Sequence, residues 1–337
     1  MKRIAINGFG RIGRAFVRLA FGRKDMEIVA LNRTKLQPEL TAYLLKHDSV
    51  YGRYDREVRA VERGIEIDDR LISLFAEREP DKLPWGEMNV DLVIEATGVF
   101  RAYEGEKGAM RHLSAGAKRV LLSAPPKGDG AEKIPQVVYG VNHAVCDEKE
   151  HRVISAASCT TNSLAPVAHV LEREFGIVHA FLTTVHAYTG GQPVVDSAGS
   201  SLTRSRAAAI NIIPTTTGAA SATAKVIPSL AGKMDGIALR VPVSTGSVSD
   251  FVVEVERDIT RNEVNAAFAQ YAEKELAGVL GVSEDPLVST DIIGDPRASV
   301  VDLSSTRVVD RRLLKVIAFY DNEWGYASQL LQVAALL

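Results

Sequence analysis

The sequence predicts an α/β protein in two parts: a doubly wound, mostly parallel sheet over residues 1–158, and an α+β part with a mainly antiparallel sheet over 159–322. Three observations predict it. A glycine-rich turn follows the first apolar run; further short apolar runs rich in β-branched residues end in turn or polar residues; beyond about residue 158 the runs lengthen and several alternate. At 337 residues the chain exceeds one hydrophobic core, which also argues for two domains. A C-terminal helix at about 323–337 is expected to pack back onto the first.

"RIAIN" (3–7) reads as a strand, and after the glycines Ile12, Ala15, Phe16, Leu19 and Ala20 fall on one helical face. Gly8, Gly10 and Gly13 form G-x-G-x-x-G between that strand and helix. In this context the glycines let the backbone approach a pyrophosphate, whose charge meets free N–H groups and the positive helix end, so the first domain reads as Rossmann-type and dinucleotide-binding. "EIVALN" (27–32), "DLVIEATG" (91–98), "RVLLSAP" (119–125) and "QVVYGVN" (136–142) are expected to be further strands, with helices between them. In the second part "GIVHAFLTTVHAY" (176–188), "IALRVPVSTGSVSDFVVEVE" (237–256) and "RLLKVIAFY" (312–320) supply the long strands. Thr260 and Glu263 make a capping box opening a helix through about Leu276. The connection from about 189 to 210 has no period, and irregular loops of that length are often functional.

Composition narrows the function. Lys and Arg total 40 against 42 for Asp and Glu, so no overall basic field suggests nucleic acid or an anionic membrane as partner. The apolar run before Asn7 is too short for a signal-peptide core, and no apolar stretch is long enough to span a membrane, so a cytoplasmic protein is expected. Cys146 and Cys159 make neither a disulfide framework nor a metal-ligand pattern, and no metal is expected.

Cys159 stands in "SAASCTTNS" (155–163) just before an apolar-periodic helix, where orphan N–H groups and the helix dipole favour a thiolate. A free cysteine can equally be a small buried hydrophobe. His186, at the end of a long alternating strand, offers a partner that stabilises a thiolate and shuttles a proton. His47, His112, His143, His151, His169 and His179 lack such a setting and read as surface or structural residues.

In order along the chain, "NGFGRIGR", "HDSVYGR", "ATGVF", "AKRVLLSAP", "SCTTN", "TTVHAYT", "RAAAINIIPTTTGAA", "LRVP" and "YDNEWGYA" resemble the phosphorylating glyceraldehyde-3-phosphate dehydrogenase family from end to end. The resemblance implies that Cys159 attacks the aldehyde of glyceraldehyde 3-phosphate, that His186 activates the thiol, and that inorganic phosphate cleaves the resulting thioester to 1,3-bisphosphoglycerate. It also implies phosphate-binding positions at Ser158, Thr160, Thr189, Arg204, Thr217, Gly218 and Arg240. Arg240 lies in an apolar strand, so its charge must be paired by something. Cofactor positions implied in the same way are Gly8, Gly10, Arg11, Ile12, Gly13, Arg78, Ser123 and Asn322, the last holding the nicotinamide carboxamide.

Cofactor choice turns on "LNRT" (31–34). Family members that prefer NAD resemble "VNDP", whose Asp accepts the ribose hydroxyls. Here Asn32 is read as replacing that carboxylate, which removes the repulsion against a 2'-phosphate, while Arg33 can pair with it. In the long loop Asp196, Ser197 and Ala198 stand where NAD-preferring relatives read "DLP", and Ser197 is assigned to the cofactor. NADP is therefore expected over NAD. The resemblance further implies a homo-oligomer, a tetramer. Erythrose-4-phosphate dehydrogenase and a catalytically silent nucleotide-binding protein are the alternatives; retained Tyr188 and Thr189 argue against the first, intact Cys159 and His186 against the second.

Overall fold

A computed structural model describes residues 1–35, 37–146, 150–199 and 201–337, so residue 200 of the irregular connection lies outside the described residues. The chain divides into two compact units, one of Met1–Val137, His143–Ala157 and Leu330–Leu337, the other of Val138–Asn142 and Ser158–Gln329.

In the first unit the strands are β1 (Lys2–Asn7), β2 (Met26–Asn32), the small hairpin β3 (His47–Asp48) and β4 (Gly52–Arg53), β5 (Val58–Val61), β6 (Gly64–Ile67), β7 (Arg70–Phe75), β8 (Leu92–Glu95), β9 (Arg119–Leu122) and β10 (Val153–Ser155). The main sheet has the order β10-β9-β8-β1-β2-β7-β6-β5 and is parallel from β10 to β7. Its helices are α1 (Arg11–Ala20), α2 (Pro38–Lys46) and α3 (Met110–Ser114). Because the chain runs from β1 to β2 on one side and later returns to β8 on the other, the strand order reverses between β1 and β8. A ligand crevice is expected beyond the carboxyl ends of those two strands.

Two features of this unit differ from the sequence reading. Residues 58–75 form antiparallel hairpins rather than a crossover, turned at Asp68 and Asp69, both in the left-handed region. The strand expected at 136–142 is reduced to one bridge, Gln136 to Ser155, because Gly140 at φ +85° and the Asn142 side chain, accepting from Val138 N–H at 2.8 Å, turn the chain.

The second unit holds α4 (Cys159–Phe175), β11 (Ile177–Ala187), β12 (Ile213–Thr216), α5 (Ala219–Val226), β13 (Met234–Val241), β14 (Ser247–Val255), α6 (Arg261–Glu273), β15 (Leu280–Ser283), β16 (Ser299–Asp302), β17 (Arg307–Val309), β18 (Leu313–Tyr320) and the start of α7 (Trp324–Leu336), whose remainder from Leu330 belongs to the first unit. The order β12-β13-β11-β14-β18-β16-β15 is mainly antiparallel, with parallel pairs β11/β13 and β15/β16. The stretch 237–256 breaks into β13 and β14 on opposite sides of β11, since Pro242 and the turn at Gly246 interrupt it. Thr260 and Glu263 do form a capping box, and α6 lays Val264 and Phe268 against Leu171 and Phe251 in one apolar core. That helix stops at Glu273, short of Leu276.

Candidate active site

The geometry around Cys159 follows from chain lengths. The 17 residues of α4 rise about 25 Å, and β11 from Ile177 to His186 returns about 30 Å, so helix start and strand end share one end of the unit. Gly176, at φ +66°, makes the reversal. Cys159 is the first residue of α4, capped by Ser158, whose hydroxyl accepts from Thr161 N–H at 3.0 Å. The Cys159 Sγ to His186 Nε2 distance is 3.4 Å. Parallel pairing of β11 and β13 sets Arg240 directly beside His186.

His186 is buried, with Nδ1 at 2.6 Å from the Ala187 carbonyl oxygen and Nε2 facing the thiol. Arg240 Nη1 donates to the same carbonyl at 3.0 Å and lies 2.8 Å from Nδ1. Burial first, and the Arg240 charge second, push the His186 imidazole down to about 3. Burial pushes the Cys159 thiol up, while Arg240 and hydrogen bonds from Thr160 pull the other way. The backbone N–H groups at the start of the helix thus act against the burial that raises the thiol. A proton moved from Sγ to Nε2 makes each group the counter-ion of the other.

Arg240 and Arg204 have no carboxylate partner among the described residues, and the Nε of each is buried without a hydrogen bond. Arg204 acts as a like charge on both His186 and Arg240. Two crowded cations with spare donors make a site for anions. Thr217 caps α5 by accepting from Ala219 N–H at 3.2 Å, and a Cβ on Gly218 would meet nothing within 4 Å. β12, which ends just before them, pairs Ile213 with Arg240.

A second feature lies in the first unit, a cleft of ≈ 520 Å³ bordered by Gly8 and Gly10, Asn32 and Arg33, Arg78 and Thr97, beyond the ends of β1 and β8. Gly8 has φ +107°, and a Cβ there would strike Ala96 backbone at 2.5 Å; one on Gly13 would meet Gly8 O at 2.1 Å. Gly10 caps α1 without any side-chain bond and has open space around it. The bare helix start and open backbone fit a dinucleotide's phosphates.

The comparisons with known proteins agree with both features. A family model described as "Glyceraldehyde 3-phosphate dehydrogenase, C-terminal domain" matches residues 158–322, and one described as "Glyceraldehyde 3-phosphate dehydrogenase, NAD binding domain" matches 2–103. The chain belongs to the glyceraldehyde-3-phosphate dehydrogenase family. It is 49% identical to glyceraldehyde-3-phosphate dehydrogenase 2 of Streptomyces avermitilis, over 99% of this chain and 98% of that one. It is 48% identical to the Geobacillus stearothermophilus glyceraldehyde-3-phosphate dehydrogenase, covering 99% and 98%, and 46% identical to the chloroplastic glyceraldehyde-3-phosphate dehydrogenase A of Nicotiana tabacum, covering 99% and 84%. It is thus a nicotinamide-dependent oxidoreductase.

Within this family site, the structure brings Cys159, Thr160, His186, Arg204 and Arg240 together. Thr189 follows β11, its N–H donating to Gln192 Oε1 at 3.3 Å. In the first unit Arg11 is ion-paired to Asp48 and lies 5.4 Å over the Tyr51 ring, and with Ile12 and Gly13 it opens α1 directly after Gly10, which borders the cleft. Ser123 lies just past β9 and Ser197 is exposed in the second unit's irregular segment; neither lines the cleft. Asn322 is buried, its Oδ1 accepting from the Ser247 hydroxyl at 2.8 Å, which turns its NH2 outward from that pair.

Asn32 requires a correction. It is buried, and both of its N–H bonds are used, one to Asn7 Oδ1 at 2.7 Å and one to the Glu77 carbonyl at 2.9 Å, while its Oδ1 accepts from Glu77 N–H at 2.9 Å. It cannot stand in for a ribose-binding carboxylate. Set against "VNDP", Asn32 is the shared asparagine, and exposed Arg33 occupies the Asp position.

Sequence reasoning missed Tyr320. Its buried hydroxyl sits 3.0 Å from Thr160 Oγ1 and 2.9 Å from Thr184 Oγ1, and its ring meets that of His186 edge-on at 6.1 Å. The signal was the first letter of "YDNEWGYA", from which Asn322 alone was singled out.

Proposed function

We propose that the protein is a phosphorylating glyceraldehyde-3-phosphate dehydrogenase, oxidising D-glyceraldehyde 3-phosphate with inorganic phosphate to 1,3-bisphosphoglycerate and using NADP in preference to NAD. The observation that carries the reaction is the 3.4 Å Cys159–His186 pair beside two cations that have no acid partner among the described residues.

Cys159 Sγ adds to the aldehyde carbon as its proton passes to His186 Nε2, and the imidazolium so formed keeps that proton while donating a hydrogen bond to the new oxyanion. Arg240 and Arg204, with Thr189, hold phosphate groups that would otherwise find no counter-charge in a buried site. The chemistry a bound oxidised nicotinamide supplies is acceptance of the hydride. Asn322, its amide oxygen held by Ser247, offers an NH2 to the carboxamide. Inorganic phosphate, bound through Ser158, Thr160, Thr217 and Gly218 at the starts of α4 and α5, attacks the thioester carbon; the C–S bond breaks and the thiolate leaves against imidazolium.

Support for NADP comes from Arg33, which is exposed on the cleft and has no ion-pair partner among the described residues, with Arg78 on the same wall. A fixed carboxylate at position 33 would repel a 2'-phosphate; an arginine attracts it. The assembly is proposed to be a homotetramer, which would cover Val194, Leu202 and Ile210, 80%, 92% and 80% exposed in the irregular segment. A cytoplasmic location is proposed; among the described residues no helix is long and apolar enough to cross a membrane. Steady-state rates with NADP and NAD, with and without phosphate, test the reading. Phosphate-independent turnover, or a preference for NAD, would contradict it.

A further inference from the structure

Behind the cleft of the first unit runs an unbroken buried chain of hydrogen bonds that the reaction does not use. Trp85 Nε1 is 3.1 Å from His112 Nδ1, His112 Nε2 is 3.1 Å from Glu95 Oε2, Asn7 Nδ2 is 2.6 Å from that same oxygen, and Asn32 Nδ2 is 2.7 Å from Asn7 Oδ1. Asn32 then clasps the backbone of Glu77 on both its N–H and C=O. Trp85 and His112 are 0% exposed and Glu95 2%, yet Asn7, Asn32 and Glu77 border the cleft.

Each orientation in the chain is dictated by its neighbour. An indole N–H only donates, so His112 Nδ1 must accept, and the ring proton sits on Nε2 facing Glu95. The other Glu95 oxygen meets only donors too, the Thr97 N–H at 2.8 Å and the Thr97 hydroxyl. With Glu95 accepting from both sides, Asn7 must turn its NH2 to Glu95 and its oxygen to Asn32. Asn32 is thereby fixed, and with it the Glu77–Arg78 backbone.

We propose that Glu95 and His112, the latter read from the sequence as a surface or structural residue, are positioning residues for the cofactor. They lock the amides of Asn7 and Asn32, and so place the Glu77–Arg78 wall on which the adenosine end of a nucleotide rests. This rests on the reading of that cleft as the nicotinamide cofactor's site.

Glu95→Gln tests it with almost no change of shape. Whichever way the new amide turns, its NH2 faces donors, and the relay must reorganise. Trp85→Phe is the milder partner, since it deletes one N–H and frees His112 to change tautomer. Dissociation constants for NADP and NAD, KM for cofactor and for glyceraldehyde 3-phosphate, Tm, and the rate of Cys159 alkylation by iodoacetamide are compared in the full-length protein. Glu95→Gln should raise the cofactor dissociation constant and KM by about tenfold or more, the effect of one unsatisfied buried donor, and Trp85→Phe by a few-fold. KM for the aldehyde and the alkylation rate should stay at wild-type values. If Glu95→Gln does not fold, Trp85→Phe carries the test. Folded variants with a lowered Tm but wild-type cofactor binding overturn the proposal. A wild-type protein that binds neither nucleotide overturns the reading of the cleft instead.

Discussion

The two functional regions solve opposite electrostatic problems. In the first unit's cleft the polar groups satisfy one another: buried Asn7, Asn32 and Glu95 and exposed Thr97 form a closed network, beside glycine backbone and a bare helix start. Around Cys159 the second unit does the reverse, keeping Arg204 and Arg240 half-buried with unused donors and an imidazole pushed down to about 3. A cleft that holds a large ligand by shape can afford self-sufficiency; a site that waits for small anions must stay unsatisfied until they arrive. Unsatisfied charge is thus a better marker of the reacting centre in this chain than cleft volume.

The contrast breaks most severely at Cys159. Cys159→Ser keeps the start of α4 and its Ser158 cap but removes the nucleophile, so phosphate-dependent oxidation should fall by about three orders of magnitude or more, with nucleotide binding to the first unit unchanged. Substantial residual turnover would show that the second unit's chemistry does not pass through sulfur. His186→Asn should lower kcat by about a hundredfold or more. It should also move the pH profile of Cys159 alkylation to higher pH, because the thiolate loses the group that takes its proton and becomes its counter-ion. An unmoved profile would mean that the 3.4 Å pair is not coupled.

Arg240→Leu sharpens the comparison by removing one of the unsatisfied charges. KM for glyceraldehyde 3-phosphate should rise by about ten- to a hundredfold, against little change for unphosphorylated glyceraldehyde, since charge-assisted bonds contribute about 1.5–3 kcal/mol. Equal losses with both substrates would make the arginine a scaffold for His186 instead. The smallest effect is expected at the cleft's rim. Arg33→Asp should shift the NADP-to-NAD ratio of kcat/KM toward NAD by about tenfold, more at low salt than at high. If the ratio does not move, Arg33 reads no phosphate.

How much of this was legible depended on the range over which each feature is determined. The glycines at 8, 10 and 13 and the Thr260–Glu263 capping box are local patterns, and the structure places them as the sequence predicts. Cys159 and His186 were legible as candidates because a long helix and a long strand are consecutive. The role of Asn32 was not, since it is set by Glu77, 45 positions away, and by Asn7. The hairpins over 58–75 carried their turn signal in Asp68–Asp69, but short charged strands gave too weak a period. The separation of β13 from β14 was hidden because β11, which lies between them, precedes both in the chain.

The covalent step at Cys159 is the claim on which the rest depends. Rapid mixing of the protein and NADP with glyceraldehyde 3-phosphate in the absence of phosphate tests it most directly. A burst of reduced nicotinamide stoichiometric with Cys159, then near arrest until phosphate is added, is the predicted result. Steady turnover without phosphate, or no burst from protein that binds cofactor, would contradict a thioester held at Cys159.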